Sequence, residues 1–230
     1  MNRYVIKFSK EGYIRYISHL DMLRLFKRAF KTNDVPLDYS QGFNPHPKMG
    51  FAQPLSLGYT ASCEYIEFET VTPCNMSEIK EKMATSMPEG ITIIDAFPID
   101  IKAKSLASIV TLALYTVTMP RDLKLSADDM NALLRDYLAQ NEILAEKKQK
   151  KTKKIIEKDI KAQIKGLECY EADGVLKLKM LLDCGSNSNL SPEAVITTFA
   201  KFAGIDAPRY EYNVNRDYIV FENNYIPGQK

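Results

Sequence analysis

The chain has 230 residues, an apolar share of 45%, a charged share of 26% and a net charge of +2 at pH 7. These values are typical of an ordinary soluble globular protein, with one large domain or two domains of about 100 residues each. Because the net charge is small, any attraction to a polyanion has to come from a local cluster of charges. The sequence opens without an apolar signal region, and no run approaches the roughly 18 apolar residues of a membrane span. We therefore expect a cytoplasmic protein with no membrane partner.

The cysteines and the common site motifs exclude several classes of protein. The four cysteines form no CxxC pair, so neither zinc nor an iron–sulfur cluster has a sequence signature. The sequence also lacks the phosphate-binding GxxxxGK[ST] loop, GxGxxG after a strand, HExxH and GxSxG. We predict no metal and no cofactor.

The N-terminal part of the sequence predicts a strand followed by an amphipathic helix. Alternating apolar and polar residues indicate a strand over Arg3–Ser9, and Gly12–Ile17 indicates a turn and a short extended stretch. Ser18 is placed to cap a helix, with Asp21 three residues further on in the manner of a capping box. The helix is expected to run from His19 to about Thr32.

This helix is predicted to have one apolar and one basic face. The apolar face is formed by Met22, Leu23, Phe26, Ala29 and Phe30. Cations at i, i+3, i+4 and i+7 make the opposite stripe, which consists of Arg24, Lys27, Arg28 and Lys31. Like charges at this spacing repel, at about 0.2–0.5 kcal/mol per pair. Most charged stripes are solvated surfaces, but four cations with no acid between them indicate an anion-binding face.

The two histidines of the chain both lie near this helix in sequence. His19 begins the helix among its apolar residues, either as a partly buried side chain with local hydrogen bonds or as a site residue at a helix N-terminus, where the dipole favours an anion. After a predicted second strand over Val35–Ser40 comes QGFNPHPKMGF, in which Pro45 and Pro47 keep the backbone around His46 extended. This segment is either a stiff loop that presents the imidazole to a ligand or a tight crossover loop.

The remaining segments predict the fold class. Cys63–Val71 alternates as a strand, Met76–Met87 is an amphipathic helix and Ile91–Phe97 is a strand. The first part then has the order of a ferredoxin-like split βαβ unit over residues 1–100, with the GFNPHPK loop between its second and third strands.

The second half predicts the same order of elements. In chain order these are a strand over Ser108–Met119, a helix from Ser126 to about Ala139, a short strand over Ile143–Lys148, a strand over Val175–Cys184, a helix from Ser191-Pro192 to Ala203 and closing strands within Tyr210–Phe221. The predicted fold class is α+β, with two tandem ferredoxin-like units with antiparallel sheets, the second over 106–230. Its run KKQKKTKK at 147–154 is expected on a lysine-rich hairpin that attracts polyanions, and 155–171 is expected to be helix or mixed helix and strand.

Three stretches together resemble a known family. They are FSKEGYIRYISHLDMLRLFKRAF, YSQGFNPHPKMGFAQPLSLG and CEYIEFE, within about the first 75 residues. They resemble the radical-SAM-linked protein family, a bacterial domain of unknown function that occurs alone or C-terminal to radical SAM proteins. The resemblance carries the family's characteristic positions onto Ser9, Gly12, Arg15, Ser18, His19, Asp21, Arg24, Arg28, Ser40, Gly42, Asn44, Pro45, His46, Pro47, Pro54, Gly58 and Glu64. Because the sequence has no CxxxCxxC, the chain is not itself a radical SAM enzyme.

The favoured hypothesis is an accessory module that binds RNA, either tRNA or rRNA, and works with a radical SAM enzyme. Cations would follow the phosphates while exposed aromatic rings stack on unpaired bases. Tyr13 and Tyr16 are stacking candidates. The predicted ligand contacts are Arg15, His19, Arg24, Lys27, Arg28, Lys31, Tyr39, Phe43, Asn44, His46 and Lys48.

Two alternatives remain open. In the first, His19 and His46 act as general acid and base near Asp21 in a phosphodiester-processing enzyme, either without a metal or with the three side chains as metal ligands. In the second, the chain is a protein-interaction subunit that docks onto a separate radical SAM protein through an apolar patch.

Overall fold

The computed structural model describes residues 2–148 and 155–228 of the chain. These residues form a mixed α/β fold with a large, mostly antiparallel sheet and five α-helices. The chain divides into two compact units, Met1–Thr111 with Arg216–Lys230, and Leu112–Asn215. No α-helix in the described ranges is long and apolar enough to cross a membrane.

The elements follow one another in a mixed order. Up to residue 111 they are β1 (Asn2–Lys10), a 3-10 helix (Gly12–Tyr16), α1 (His19–Thr32), β2 (Met49–Phe51), β3 (Thr60–Thr70), α2 (Met76–Ser86), β4 (Ile91–Ile99) and α3 (Leu106–Ile109). Next come β5 (Val110–Thr118), α4 (Ala127–Ala139), β6 (Leu144–Lys148), β7 (Ile155–Asp159), β8 (Ile164–Ala172), β9 (Val175–Asp183), α5 (Pro192–Ala203) and β10 (Asn213–Phe221). Short 3-10 helices cover Lys161–Gln163, Arg209–Glu211 and Glu222–Asn224.

In the first unit, β1 is the central strand. It pairs antiparallel with β3 and β4, so that Ile6 lies opposite Ile66 and Ala96, and the short β2 adds to β3. Helix α1 covers this sheet with the apolar face that its periodicity predicts. The ring of Phe26 lies 4.9 Å from that of Phe8 on β1. Burial of such side chains contributes about 1.5–3 kcal/mol each, and this packing fixes which face of α1 is left to solvent.

The second unit is organised around β9, which pairs antiparallel with β5 and with β8. Helix α4 begins at a complete capping box between Ser126 and Asp129. The Tyr137 hydroxyl of α4 and the Thr198 hydroxyl of α5 share a hydrogen bond of 2.7 Å. Strands β6 and β7 pair with each other in a separate two-stranded sheet. Residues 149–154 of the predicted lysine-rich hairpin lie outside the described residues.

The prediction of a strand over Val35–Ser40 was wrong. Asp34 turns the chain with a φ of +53° and Pro36 has no N–H to donate, so the segment makes only isolated bridges, one of them between Leu37 and Thr70. The second strand of this unit is instead β2, which follows the proline-rich loop. The loop therefore connects α1 to β2 rather than joining two strands.

Two further segments differ from expectation. Gly12–Tyr16, expected as a turn and an extended stretch, is a 3-10 helix that Gly12 enters at a φ of +59°. Residues 155–171, expected to be helical or mixed, are mainly the strands β7 and β8. Their many charged residues lie on the exposed side of edge strands, where alternation with apolar residues is incomplete.

Candidate functional site

Helix α1 presents its cations to solvent. The side chain of Arg24 is 75% exposed, and its guanidinium donates to Asp21 Oδ1 at 2.8 Å in a surface ion pair. Pairs of this kind contribute about 0–1 kcal/mol, so a ligand can replace this one at little cost. Lys27, Arg28 and Lys31 are exposed, and within the described ranges they form no hydrogen bond or ion pair through their side chains. Three cations on one helix face are thus available to an anion.

Asp21 has a structural task at the start of this helix. The Ser18 hydroxyl accepts from the Asp21 backbone N–H at 3.2 Å and donates to Asp21 Oδ2 at 2.7 Å. The hydrogen bonds from Ser18 and Arg24 hold the pKa of Asp21 below its usual range. The predicted N-cap is confirmed, and this carboxylate is engaged in helix capping rather than poised as a base.

His19, the first residue of α1, is partly buried. Its ring lies 5.4 Å from the ring of Phe51 on β2, in an edge-on arrangement. Burial lowers the pKa of His19 below the usual value, so the imidazole is neutral at pH 7. A neutral imidazole has one donor and one acceptor, which it can offer to a ligand at the helix N-terminus.

The loop between α1 and β2 is closed at its base and open at its tip. Ser40 N donates to His46 O at 2.8 Å, and His46 N donates to Ser40 Oγ at 3.0 Å. Tyr39 and Pro47 are joined by an isolated bridge just outside this pair. The side chains between Ser40 and Pro47 are exposed, and that of Phe43 is completely so. The loop holds Asn44 and His46 out to solvent on a fixed base.

Lys48 differs from the other predicted cations because its charge is already offset. Its ammonium lies 2.8 Å from Asp38 Oδ2 and 3.3 Å from Glu69 Oε2. The hydrogen bond with Asp38 raises the pKa of Lys48, and the same bond lowers the pKa of Asp38. The geometry assigns Lys48 to the base of the loop, where it ties the loop to β3.

The remaining predicted contacts are aromatic or next to aromatic rings. Arg15 places its guanidinium carbon 5.0 Å from the centre of the Tyr16 ring, within the range of a cation–π contact. Tyr13, Tyr16 and Tyr39 are all exposed, Tyr13 almost completely. Exposed rings of this kind can accept a stacked base.

The two histidines are not joined in this fold. Among residues 2–148 and 155–228, no hydrogen bond or ring contact connects His19 with His46. The same ranges contain no cluster of three or more His, Cys, Asp or Glu that could hold a metal ion. The arrangement therefore gives no geometric support to a histidine pair or to a metal site at these residues.

The sequence reasoning missed a buried ionic cluster in the same unit. Arg216 on β10 is 1% exposed and donates through Nε and Nη2 to the two carboxylate oxygens of Glu64 on β3, which is 3% exposed. It also donates to the backbone oxygens of Gln53 at 2.8 Å and Pro54 at 3.3 Å. Lys10, at the end of β1, is 3% exposed and interacts electrostatically with both. One sequence signal could have indicated this burial. Side chains two positions apart on a strand lie on the same face of the sheet, so Lys10 lies on the same face as the apolar Phe8.

This cluster lines a small pocket. Its polar walls are Lys10, His19, Gln53 and Glu64, and its apolar walls are Phe8, Met22, Phe51 and Leu55. The cavity volume is about 20 Å³, enough for one water-sized group. Only His19 among these residues was predicted as a ligand contact from the sequence.

The fold and the site define a mixed α/β protein that presents a basic helix and an exposed loop from one of its units. The chain belongs to the bacterial family described as "Uncharacterized protein conserved in bacteria (DUF2344)", whose model matches residues 3–192. A comparison with curated proteins gave no significant match.

The solved structures that are similar to the chain include the following two. One is a chain of the "Crystal Structure of a Cbf5-Nop10-Gar1 Complex", at 10% identity and a TM-score of 0.52, covering 94% of this chain. This chain spans about half of its length, 48%. The other, from Galdieria sulphuraria, is the "Crystal Structure of an Unknown Protein", at 12% identity and a TM-score of 0.29, covering 95% of this chain and 98% of that one. At these identities the first similarity concerns the fold alone.

Proposed function

We propose that this protein binds RNA through a basic surface, which we define as the outward face of α1 (Arg24, Lys27, Arg28 and Lys31) together with the exposed loop 40–47. One observation carries the proposal. Lys27, Arg28 and Lys31 are exposed on one helix face without an acidic partner in the described ranges. Their mutual repulsion costs the isolated helix about 0.2–0.5 kcal/mol per pair, and a bound phosphate backbone removes that cost.

The exposed aromatic rings favour unpaired RNA over a duplex. Phe43, Tyr13 and Tyr16 project from the first unit, where bases of a single strand can stack on them. Base stacking on an aromatic ring contributes about 1–3 kcal/mol per base and tolerates any base. Such a surface would select single-stranded regions of tRNA or rRNA more strongly than it selects a sequence.

The proposal can be tested by fluorescence anisotropy with labelled tRNA and rRNA fragments over a salt series. For single strands the slope of log K against log salt is about −0.7 per neutralised phosphate, so Lys27→Glu/Arg28→Glu should flatten it by about 1.4. The matched control is Lys80→Glu/Lys82→Glu, which reverses two charges on α2 that already pair with Asp95 and Glu78. If both double variants change the slope equally, the basic surface is not the binding site.

Phosphodiester processing with His19 and His46 stays a prediction that the same preparation can test. RNA cleavage that disappears in His46→Ala, with RNA affinity retained, would favour the enzyme. Uncleaved RNA in the wild-type complex would favour the binding module.

Two finer features are also proposals. The first is that each half of the chain is a ferredoxin-like unit, which is supported by the antiparallel pairing of β1 with both β3 and β4, and of β9 with both β5 and β8. The second is the partnership with a radical SAM protein, which rests on the motifs within about the first 75 residues. Co-purification of the tagged protein with a CxxxCxxC-containing protein would support this partnership. The complex between the two proteins should be insensitive to salt.

A further inference from the structure

The pocket beside the buried ionic cluster contains a cation that is short of hydrogen bonds. The Lys10 ammonium has three donors, yet its hydrogen bonds are two long ones, 3.4 Å to Arg15 O and 3.5 Å to Ile17 O. Ordinary N–H···O distances are about 2.7–3.2 Å. Within the described ranges Lys10 forms no ion pair, and the two oxygens of the Glu64 carboxylate accept hydrogen bonds from Arg216. A buried ammonium in this state is costly unless a further acceptor reaches it.

The N-terminus of α1 borders the same pocket. His19, the first residue of this 14-residue helix, lines the pocket together with Phe8 and Leu55. The first N–H groups of a helix and its dipole favour an anion at this end. A buried ammonium and a helix N-terminus therefore act on one small volume.

We propose that this pocket is a binding site for one oxyanion group, a phosphate or a carboxylate, which places an anionic oxygen against Lys10 and His19. The cavity of about 20 Å³ admits one oxygen atom of the group, so the rest of the ligand lies outside, at the N-terminal end of α1. The oxygen accepts a hydrogen bond from the Lys10 ammonium, and the neutral imidazole of His19 supplies a further donor. Phe51 and Leu55 shield the contact from water.

The electrostatics of Lys10 favour an anion in this pocket. Burial lowers the pKa of the Lys10 ammonium, Glu64 raises it, and Arg216 lowers it. The lowering prevails, so Glu64 alone does not compensate for the loss of water around the ammonium. A second anion would stabilise the charged form of Lys10 and raise its pKa again.

The site is independent of the basic surface, and its test separates the two. The probe is inorganic phosphate, added to the full chain at pH 7 with chloride holding the ionic strength constant, and the readout is the urea unfolding midpoint, which rises when a ligand binds only the folded state. Acetate in place of phosphate distinguishes a carboxylate site. An RNA oligonucleotide with and without a 5′-phosphate shows whether the group can belong to an RNA end.

We expect a saturable rise with phosphate or acetate in the wild type, an affinity at least about tenfold weaker in Lys10→Met, and an unchanged affinity in Lys80→Met, which removes the same charge from helix α2. If Lys10→Met does not fold, His19→Leu changes a partly exposed residue of the same pocket and should weaken binding about threefold. No rise in the wild type, or a rise that survives in both pocket variants, would overturn the proposal, the second result indicating an adventitious ion only.

Discussion

Replacing Arg216 by methionine should destabilise the protein strongly, because it leaves the buried Glu64 carboxylate without the hydrogen bonds that both of its oxygens accept. The guanidinium is 1% exposed and satisfies four acceptor atoms: both carboxylate oxygens of Glu64, and the backbone oxygens of Gln53 and Pro54. Removing one member of a buried pair costs about 3–5 kcal/mol. With an urea m-value of about 2 kcal/mol per M, the unfolding midpoint should fall by about 1.5–2.5 M.

The double variant Arg216→Met/Glu64→Leu shows whether the loss of stability in Arg216→Met arises from the buried charge of Glu64. Replacing a whole buried pair by apolar side chains of similar volume is often neutral, so the double variant should recover most of the lost stability. Urea unfolding of the wild type, both single variants and the double variant gives the coupling free energy directly. The reasoning fails if Arg216→Met costs less than about 1 kcal/mol, or if the double variant is as unstable as the sum of the single ones.

Three further predictions concern single positions. His19 should titrate below the ordinary histidine value of about 6.5, as NMR of the imidazole would show, and Phe51→Ala should move it back up; an unshifted His19 would contradict its burial. Gly90→Ala should cost clearly more than Gly174→Ala in urea unfolding, since both have positive φ but a Cβ at Gly90 would lie 2.6 Å from a backbone oxygen, whereas at Gly174 it meets nothing. Equal losses would refute the steric reason. The pKa of Lys10 is lowered on folding, so between the folded and the unfolded pKa the unfolded chain binds more protons than the folded one. The free energy of unfolding of the wild type, measured in urea, should therefore increase relative to that of Lys10→Met as the pH rises towards about 10. A difference in unfolding free energy that does not change with pH would contradict this.

The sequence predicted best those elements whose signals are local. The start of α1 follows from Ser18 and that of α4 from Ser126, because a cap and the apolar periodicity after it act within one or two turns. The same periodicity predicted which cations of α1 face solvent. The prediction of a strand over Val35–Ser40 was wrong because the apolar residues of this segment follow a strand pattern, while Asp34 before it and Pro36 within it prevent a continuous ladder of backbone hydrogen bonds.

The buried cluster could not be predicted from local patterns. Arg216 and Glu64 are 152 positions apart in the chain. The alternation of apolar and polar residues predicts that each lies on a strand, but it does not specify which strands pair with each other. A charged residue on a strand is ordinarily expected to face solvent. The resemblance marks Glu64 as a family position, but neither the resemblance nor the local pattern predicts its burial or its pairing with Arg216. Lys48 shows the converse: its sequence context indicated a ligand contact, and only the tertiary fold brings Asp38 and Glu69 to it.

The first unit includes a segment that follows the whole second unit in the sequence, and this affects how the protein folds on the ribosome. Glu64 emerges early, but Arg216 follows only 152 residues later, or about 8–30 s at ordinary rates of elongation. Meanwhile the second unit, which is continuous in sequence, is already complete. Until β10 has been synthesised, a nascent chain therefore holds the Glu64 carboxylate without its guanidinium partner, so the core of the first unit can close only after the whole second unit has been made.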